Sequence, residues 1–108
     1  MGQIEQMGQK TIGFRKAKMS DAEKIYSLVN SYANKGLMLP RSRSTIYENL
    51  REFTVAACGD ELIGTGGLHI IWEDLAEIRT LAIDESHIQS GVGRRLVELL
   101  LEEAREIG

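Results

Sequence analysis

The stretch of this chain best suited to bind a ligand is Gly91-Val92-Gly93, which lies between two regular patterns. A strand-like run ends at Ile83 before it, and an amphipathic helical run ends at Ile107 after it. Glycines let a backbone approach a ligand closely, and the free amides and dipole of a first helical turn favour an anion. The pattern predicts a loop that can hold a pyrophosphate, although glycines at such a junction are more often simple turn residues.

Two well-known phosphate-binding motifs are excluded by the residues that follow this loop. A Walker loop needs Gly-Lys followed by Ser or Thr, but Gly93 is followed by Arg94 and Arg95. The dinucleotide fingerprint needs a third glycine nearby, whereas the next glycine is Gly108. The loop therefore has a different pattern from both motifs.

The elements that must position this loop follow from the hydrophobic periodicity. Strands are predicted at 11–17, 53–58, 61–71 and 75–83, and helices at 20–34, 44–52 and 91–107. The turns at 59–60 and 72–74 are too short for parallel crossovers, so the three middle strands should form an antiparallel meander. The order of elements predicts an α/β domain of the α+β type.

Local signals predict the ends of the first helix. The Ser20 hydroxyl and the Glu23 carboxylate have the spacing of a capping box, in which each side chain accepts from the other residue's amide. Asn34 and Gly36 suit a left-handed cap at the other end.

Small residues within the predicted strands point to close packing. Gly64, Gly66 and Gly67 weaken the second strand of the meander and indicate a bulge or a close backbone contact. Cys58 is predicted to be a small buried thiol and not a nucleophile.

The composition fits one domain. The chain has 108 residues, is 43% hydrophobic and 27% charged, and has a formal net charge of -3. Residues 1–10 lack apolar periodicity and are predicted to be a flexible leader, with the domain at 11–108.

The same composition limits partners and location. The basic residues form no dense patch, so no nucleic acid or anionic membrane is expected as a partner. One cysteine, no secretory leader and no long apolar run favour the reducing cytoplasm. No group of His, Cys and carboxylates has metal-ligand spacing, so no metal is expected.

The run from Ala76 to Asp84, followed by Gly91 to Leu96, closely resembles the central motif of the GNAT superfamily of N-acetyltransferases. The likeness includes the strand, the aspartate after it, the Gly-x-Gly and the helix, and it extends upstream to about Thr11. It implies a GNAT-like fold, with a mostly antiparallel mixed sheet flanked by helices, in a chain missing the family's C-terminal strands.

This resemblance implies acetyl-CoA as the co-substrate. In such enzymes a splayed strand pairs with the pantetheine arm, and the loop holds the pyrophosphate. The implied pantetheine contacts are Leu81, Ala82 and Ile83, and the implied phosphate contacts are Ile88, Gln89, Ser90, Gly91, Val92, Gly93 and Arg94. Ile88 departs from the family, which usually has Gln or Arg there, so weaker binding is expected unless Gln89 takes the role.

A second resemblance narrows the branch. The runs 36–42, 47–50 and 67–77 are similar to acetyltransferases of the N-acetylglutamate synthase-like group. They imply a small amine acceptor, such as the amino acid glutamate. Arg41, Arg43 or Arg79 could bind its carboxylate with a bidentate fork, and a solvated or ion-paired surface role is the alternative for each.

The implied reaction needs a base for the ammonium and a donor for the carbonyl oxygen. The amide near Leu81 is the candidate donor, and Glu77 is the candidate base, with Glu73 behind it. A solvated loop carboxylate is the alternative for either glutamate. His69 and His87 are the other titratable candidates, although His69 is expected to be a structural residue in a strand and His87 an exposed loop residue.

A non-enzymatic function is the alternative to an acetyltransferase activity. The chain could be a catalytically incomplete acyl-CoA-binding or dimerisation module. Its open sheet edge would then be covered by a second copy, as a homodimer, or by a complementing C-terminal segment.

Overall fold

The structure is a computed structural model and describes residues 3–4, 12–36, 42–73, 75–87 and 90–108. Its strands form one sheet in the order β1-β2-β3-β4-β5, and every pairing among them is antiparallel. The strands are β1 (Gln3–Ile4), β2 (Ile12–Lys16), β3 (Phe53–Cys58), β4 (Glu61–Trp72) and β5 (Leu75–Ile83). The helices are α1 (Ala22–Asn34), α2 (Arg43–Glu48) and α3 (Val92–Ile107).

The predicted order of elements and the meander β3-β4-β5 are confirmed. Two differences concern local structure. Gln3 and Ile4, within the predicted leader, pair with β2, which their polar surroundings did not indicate. The predicted second helix is shorter, because a 3-10 turn at Leu50–Glu52 follows α2 and leads into β3.

Helices cover both faces of the sheet. On one face α1 and α2 pack against β3 around a core of Ala22, Ile25, Val29, Ile46, Phe53 and Val55. On the other face α3 packs around Ile12, Ala56, Ile63, Val92 and Leu96. Cys58 packs against this second core but is half-buried, so this thiol is less buried than predicted.

The predicted capping box at Ser20 is wrong. Asp21, not Ser20, closes the turn before α1, since its carboxylate accepts from the Lys18 amide at 2.7 Å. Arg15 also donates to Asp21, at 2.6 and 3.1 Å, so a charged fork from β2 holds this carboxylate at the start of α1. The predicted left-handed cap is confirmed at Gly36, which has φ +74°.

Two glycines of β4 let α3 lie close to the sheet, as the sequence predicted. A Cβ at Gly64 would lie 3.0 Å from Val92 Cγ1, and a Cβ at Gly66 would lie 3.1 Å from Leu100 Cδ1. Side chains at these positions would force α3 or its Val92 and Leu100 side chains to shift by a few tenths of an ångström. The glycines therefore set the distance between α3, with its N-terminus, and the strands beside it.

Candidate functional site

A bulge in β5 marks the start of the site. Thr65 pairs with Ala82, but Gly67 pairs with Arg79, so β5 has one residue more than β4 between these pairs. Thr80, within the extra length, has φ +59°. A β-branched residue in this region is rare and strained, and such bulges occur where a strand is re-aimed near a binding site.

The backbone after the bulge faces the open edge of the sheet. In the described part of the chain β5 pairs with β4 alone. The Asp84 amide donates to the Ile63 carbonyl at 2.7 Å, on the β4 side. Because backbone groups alternate along a strand, Ala82 also faces β4, whereas Leu81 and Ile83 face the edge.

Tyr32 confirms this direction, and sequence reasoning missed it as a site residue. Its hydroxyl donates to the carbonyl oxygen of Ile83 at the edge, although the helical pattern indicated only a member of the buried stripe. Lys35, one turn later, forms an ion pair with Glu85. The C-terminal end of α1 is therefore tied to the end of β5 and the loop after it.

Hydrogen bonds hold the first half of the loop after β5. The Ser86 hydroxyl donates to Asp84 Oδ2 at 2.5 Å, which lowers the pKa of Asp84, and His87 Nδ1 lies 3.3 Å from the same oxygen. The Ser90 hydroxyl donates to the His87 carbonyl at 2.6 Å. His87 is half-buried by this network, contrary to the expected exposed position.

The N-terminus of α3 completes the loop. Gly91 caps the helix with φ +87°, a conformation that favours glycine, and contributes no side chain. The first helical hydrogen bond runs from the Arg95 amide to the Gly91 carbonyl, so the amides of Val92, Gly93 and Arg94 lie outside the helical ladder. The Arg94 side chain is exposed, and its Nε lies 3.6 Å from Glu98. Ile88 and Gln89 lie outside the described residues.

A polar cluster, Glu52, His69, Glu77 and Arg79, lies farther along the β4–β5 hairpin. His69 and Glu77 are paired across the two strands. Arg79 Nε lies 3.0 Å from Glu77 Oε1, a distance that makes an ion pair, but the angles do not make a hydrogen bond. His69 Nδ1 lies 2.6 Å from Glu52 Oε2. The fold thus brings together the predicted Glu77 and Arg79 with Glu52, which no local pattern singled out.

Arg43, another predicted arginine, has other partners among the described residues. Arg43 Nε lies 2.9 Å from Glu23 Oε1, and its guanidinium lies 4.2 Å from the centre of the Tyr26 ring. The hydrogen bond raises the pKa of Arg43 and lowers that of Glu23. With these contacts Arg43 has an ion-paired surface role, which is the alternative to carboxylate binding. Arg41 lies outside the described residues.

Comparison with known proteins identifies the family. The sequence profile of the Acetyltransferase (GNAT) family matches residues 20–108. The chain belongs to this family. In the GNAT family context, the edge of β5 that has no partner strand among the described residues and the first-turn amides of α3 form one candidate active site.

Individual relatives point to one branch of the GNAT family. An amino-acid acetyltransferase of Mycobacterium tuberculosis is 41% identical over 96 residues, which cover 86% of this chain and 55% of the relative. An amino-acid acetyltransferase of Neisseria meningitidis is 30% identical, with 90% of this chain and 22% of the relative covered.

A solved structure with a similar fold belongs to a related acetyltransferase. N-acetylglutamate synthase from Neisseria gonorrhoeae, complexed with coenzyme A and N-acetyl-glutamate, matches with a TM-score of 0.85 and 30% identity. The match covers 90% of this chain and 23% of that protein. The chain therefore spans about half the length of the M. tuberculosis relative and less than a quarter of the Neisseria relatives.

Two further observations concern metals and membranes. Among the residues that the structure describes, no group of three His, Cys, Asp or Glu side chains is placed to hold a metal ion. None of the helices in the described ranges is long and apolar enough to cross a membrane.

Proposed function

We propose that this protein transfers the acetyl group of acetyl-CoA to the amine of an amino acid such as glutamate. The observation that carries the proposal is the joint placement of the Leu81–Ile83 edge and the α3 amides, in a chain of the GNAT family. An extended amide-containing arm can pair with an open strand, and a pyrophosphate suits unpaired amides at a helix N-terminus. The names of the relatives support an amino acid as the acceptor.

The residues present fit acetyl-CoA. Leu81 and the amide of Ile83, whose carbonyl already accepts from Tyr32, would pair with the pantetheine arm, with Ala82 holding the strand to β4. The amides from Val92 to Arg94 would bind the pyrophosphate, and the sequence assigns Ile88, Gln89, Ser90 and Gly91 to the same loop. The Arg94 side chain would add positive charge at the entrance.

The polar cluster lies where an acceptor could approach the edge of β5. The Arg79 fork would bind the acceptor carboxylate, with Arg41 on the preceding loop as the second candidate. Arg43 would have to leave Glu23 and Tyr26 to contribute. Glu77, across from His69, would attract the ammonium or accept its proton, directly or through a water, and the Leu81 amide would donate to the carbonyl oxygen.

Thiol release with a panel of amino acids tests this proposal. Transfer should be fastest with an acidic amino acid, and Arg41→Ala or Arg79→Ala should raise the acceptor KM. Loss of a charge-assisted contact of about 1.5–3 kcal/mol corresponds to roughly 10- to 150-fold. The KM for acetyl-CoA should hardly change, and the matched control Arg105→Ala, on the exposed side of α3, should change neither. Equal losses for both substrates would reject the carboxylate role.

A second candidate is an acyl-CoA-binding module without transfer activity, with β5 covered by a further strand. The open edge of β5 favours it, since an unpaired strand is a template for pairing. The cover could be a homodimer partner or a complementing C-terminal segment. Binding of acetyl-CoA in calorimetry without thiol release would support the module. A concentration-independent monomer in sedimentation would count against the homodimer.

A further inference from the structure

The pair His69–Glu52 has a geometry that the sequence did not predict. His69 Nδ1 and Glu52 Oε2 are 2.6 Å apart, and both side chains are half-buried, at 32% and 24% exposure. Glu52 belongs to the 3-10 turn before β3, whereas His69 lies on β4. Two elements are therefore joined by one short contact between side chains.

This contact determines the form of the neutral imidazole. A carboxylate can only accept, so Nδ1 must carry the hydrogen that His69 donates to Glu52. The second ring nitrogen, Nε2, then presents its lone pair. A carboxylate that holds an imidazole in this way also stabilises the imidazolium formed when Nε2 takes a proton.

The charged groups around His69 come from two elements. Glu52 lies on the turn before β3, and Arg51 precedes it. Glu77 lies opposite on β5, and Arg79 forms an ion pair with Glu77. An incoming ammonium would thus meet two carboxylates and an imidazole on the face that also carries the candidate carboxylate-binding Arg79.

We propose that His69, oriented by Glu52, is the proton acceptor of the acyl transfer, while Glu77 remains charged and holds the ammonium. This inference rests on the proposed function. One ammonium proton moves to Nε2, and the nitrogen lone pair forms the C–N bond with the thioester carbonyl carbon. The C–S bond breaks with its electrons on sulfur, and the second proton from nitrogen converts the thiolate to the CoA thiol.

General chemistry favours an imidazole for this step. The reference pKa of histidine is about 6.5 and that of glutamate is about 4.3, and a general base works best when its pKa is near the operating pH. The Glu77 carboxylate is also engaged by Arg79. A carboxylate that stays charged, as proposed for Glu77, is better suited to attract an ammonium than to deprotonate it.

The kinetic test compares three glutamine variants with the wild type across pH. His69→Gln should lower kcat about 100-fold or more, and the remaining rate should lose the decline in acid that protonation of the base produces. Glu52→Gln should act in the same direction with a smaller loss, whereas Glu77→Gln should mainly raise the acceptor KM. Added imidazole should restore part of the rate of His69→Ala. The control Glu106→Gln, an exposed carboxylate on α3, should match the wild type.

The outcomes separate this inference from the proposed function. If the wild type transfers acetyl and His69→Gln keeps its kcat and pH profile, the inference alone fails. If the wild type transfers to no amine, the proposed function fails and this inference fails with it. Acetyl-CoA should raise the melting temperature of His69→Gln as much as that of the wild type. If this rise is lost together with kcat, His69 is a structural residue and the proposed role as proton acceptor is overturned.

Nuclear magnetic resonance gives a readout that needs no activity. The chain has two histidines, so His87→Gln assigns both rings. The neutral His69 ring should carry its hydrogen on Nδ1, where it donates to Glu52. A neutral ring protonated at Nε2 would contradict the inference.

Discussion

Asp21 joins the start of α1 to β2 through a bidentate contact. Its side chain is 5% exposed, and it accepts from both ends of the Arg15 fork and from the Lys18 amide. The Arg15 hydrogen bond is the main cause that lowers the pKa of Asp21. The charged form of Asp21 is therefore favoured in the folded chain over the unfolded one, and this difference adds to the free energy of unfolding.

Asp21→Asn should lower the free energy of unfolding by about 1–3 kcal/mol at neutral pH, because Arg15 and the Lys18 amide lose a buried, charged acceptor. The folded pKa lies below the reference value of 3.8, so this stabilisation is complete above that pH and is lost as pH falls through the folded pKa. Denaturant unfolding at several pH values measures the difference. Asp60→Asn, in the exposed hairpin turn, is the control and should stay within about 0.5 kcal/mol. If the difference in free energy of unfolding between the wild type and Asp21→Asn grows in acid, the stabilising role of the charged Asp21 is contradicted.

Contacts between distant residues are what the sequence could not predict at this scale. Ser20 and Glu23 had the spacing of a cap, but Arg15, on a different element, selects Asp21. Tyr32 had the spacing of a buried stripe, but its hydroxyl reaches the Ile83 carbonyl. Spacing along one helix carries no information about a partner from another element. The Glu52–His69 pair was missed for the same reason.

At the scale of elements, the distance between α3 and β4 depends on glycines. A Cβ at Gly64 would lie 3.0–3.1 Å from side-chain atoms of Val92, Ile83 and Leu96. A Cβ at Gly13, on β2, would have nothing within 4 Å. The two glycines form a matched pair, one in a packed position and one in an open position.

Gly64→Ala should lower the free energy of unfolding by about 1–3 kcal/mol, because the helix or its side chains must move. Gly13→Ala should leave it unchanged or raise it by about 0.4–1 kcal/mol through the unfolded chain. Thermal or urea unfolding of both variants measures this contrast. Equal effects at the two sites would show that α3 does not pack on β4 as described.

The sequence predicted most elements because turn residues and apolar periods agreed. Phe53–Cys58 and Leu75–Ile83 were predicted at the observed bounds, since Gly59 and the polar hairpin tip delimit them. The bulge at Thr80 was not located, because nothing in the residue types shows a positive φ at a threonine. The Gly-x-Gly predicted the start of the last helix, which Gly91 caps, and its role in phosphate binding stays a prediction.

At the scale of the whole molecule, the candidate site combines two features, the bulge in β5 and the glycines of β4. The bulge turns the backbone of Leu81 and Ile83 to the open edge, and the glycines of β4 bring α3 close to the sheet. The Cβ position of Gly93 lies 3.5 Å from Ile83 Cγ1, so the strand and the helix N-terminus meet there. A ligand with an extended arm and a pyrophosphate would span both.

Thermal melts of the wild type and Gly93→Asp, with and without acetyl-CoA, test this claim most directly. A Cβ at Gly93 meets only ordinary contacts, and an aspartate in a first helical turn gains about 0.3–1 kcal/mol from the helix dipole, so the unliganded variant should fold. Its carboxylate should repel the pyrophosphate, and Gly93→Asn, of equal size without charge, separates repulsion from bulk. At about 100 times its dissociation constant, acetyl-CoA should stabilise the wild type by roughly 2.7 kcal/mol and leave Gly93→Asp unchanged. No ligand-dependent rise in the wild type, or an equal rise in Gly93→Asp, would contradict the assignment of this loop to CoA.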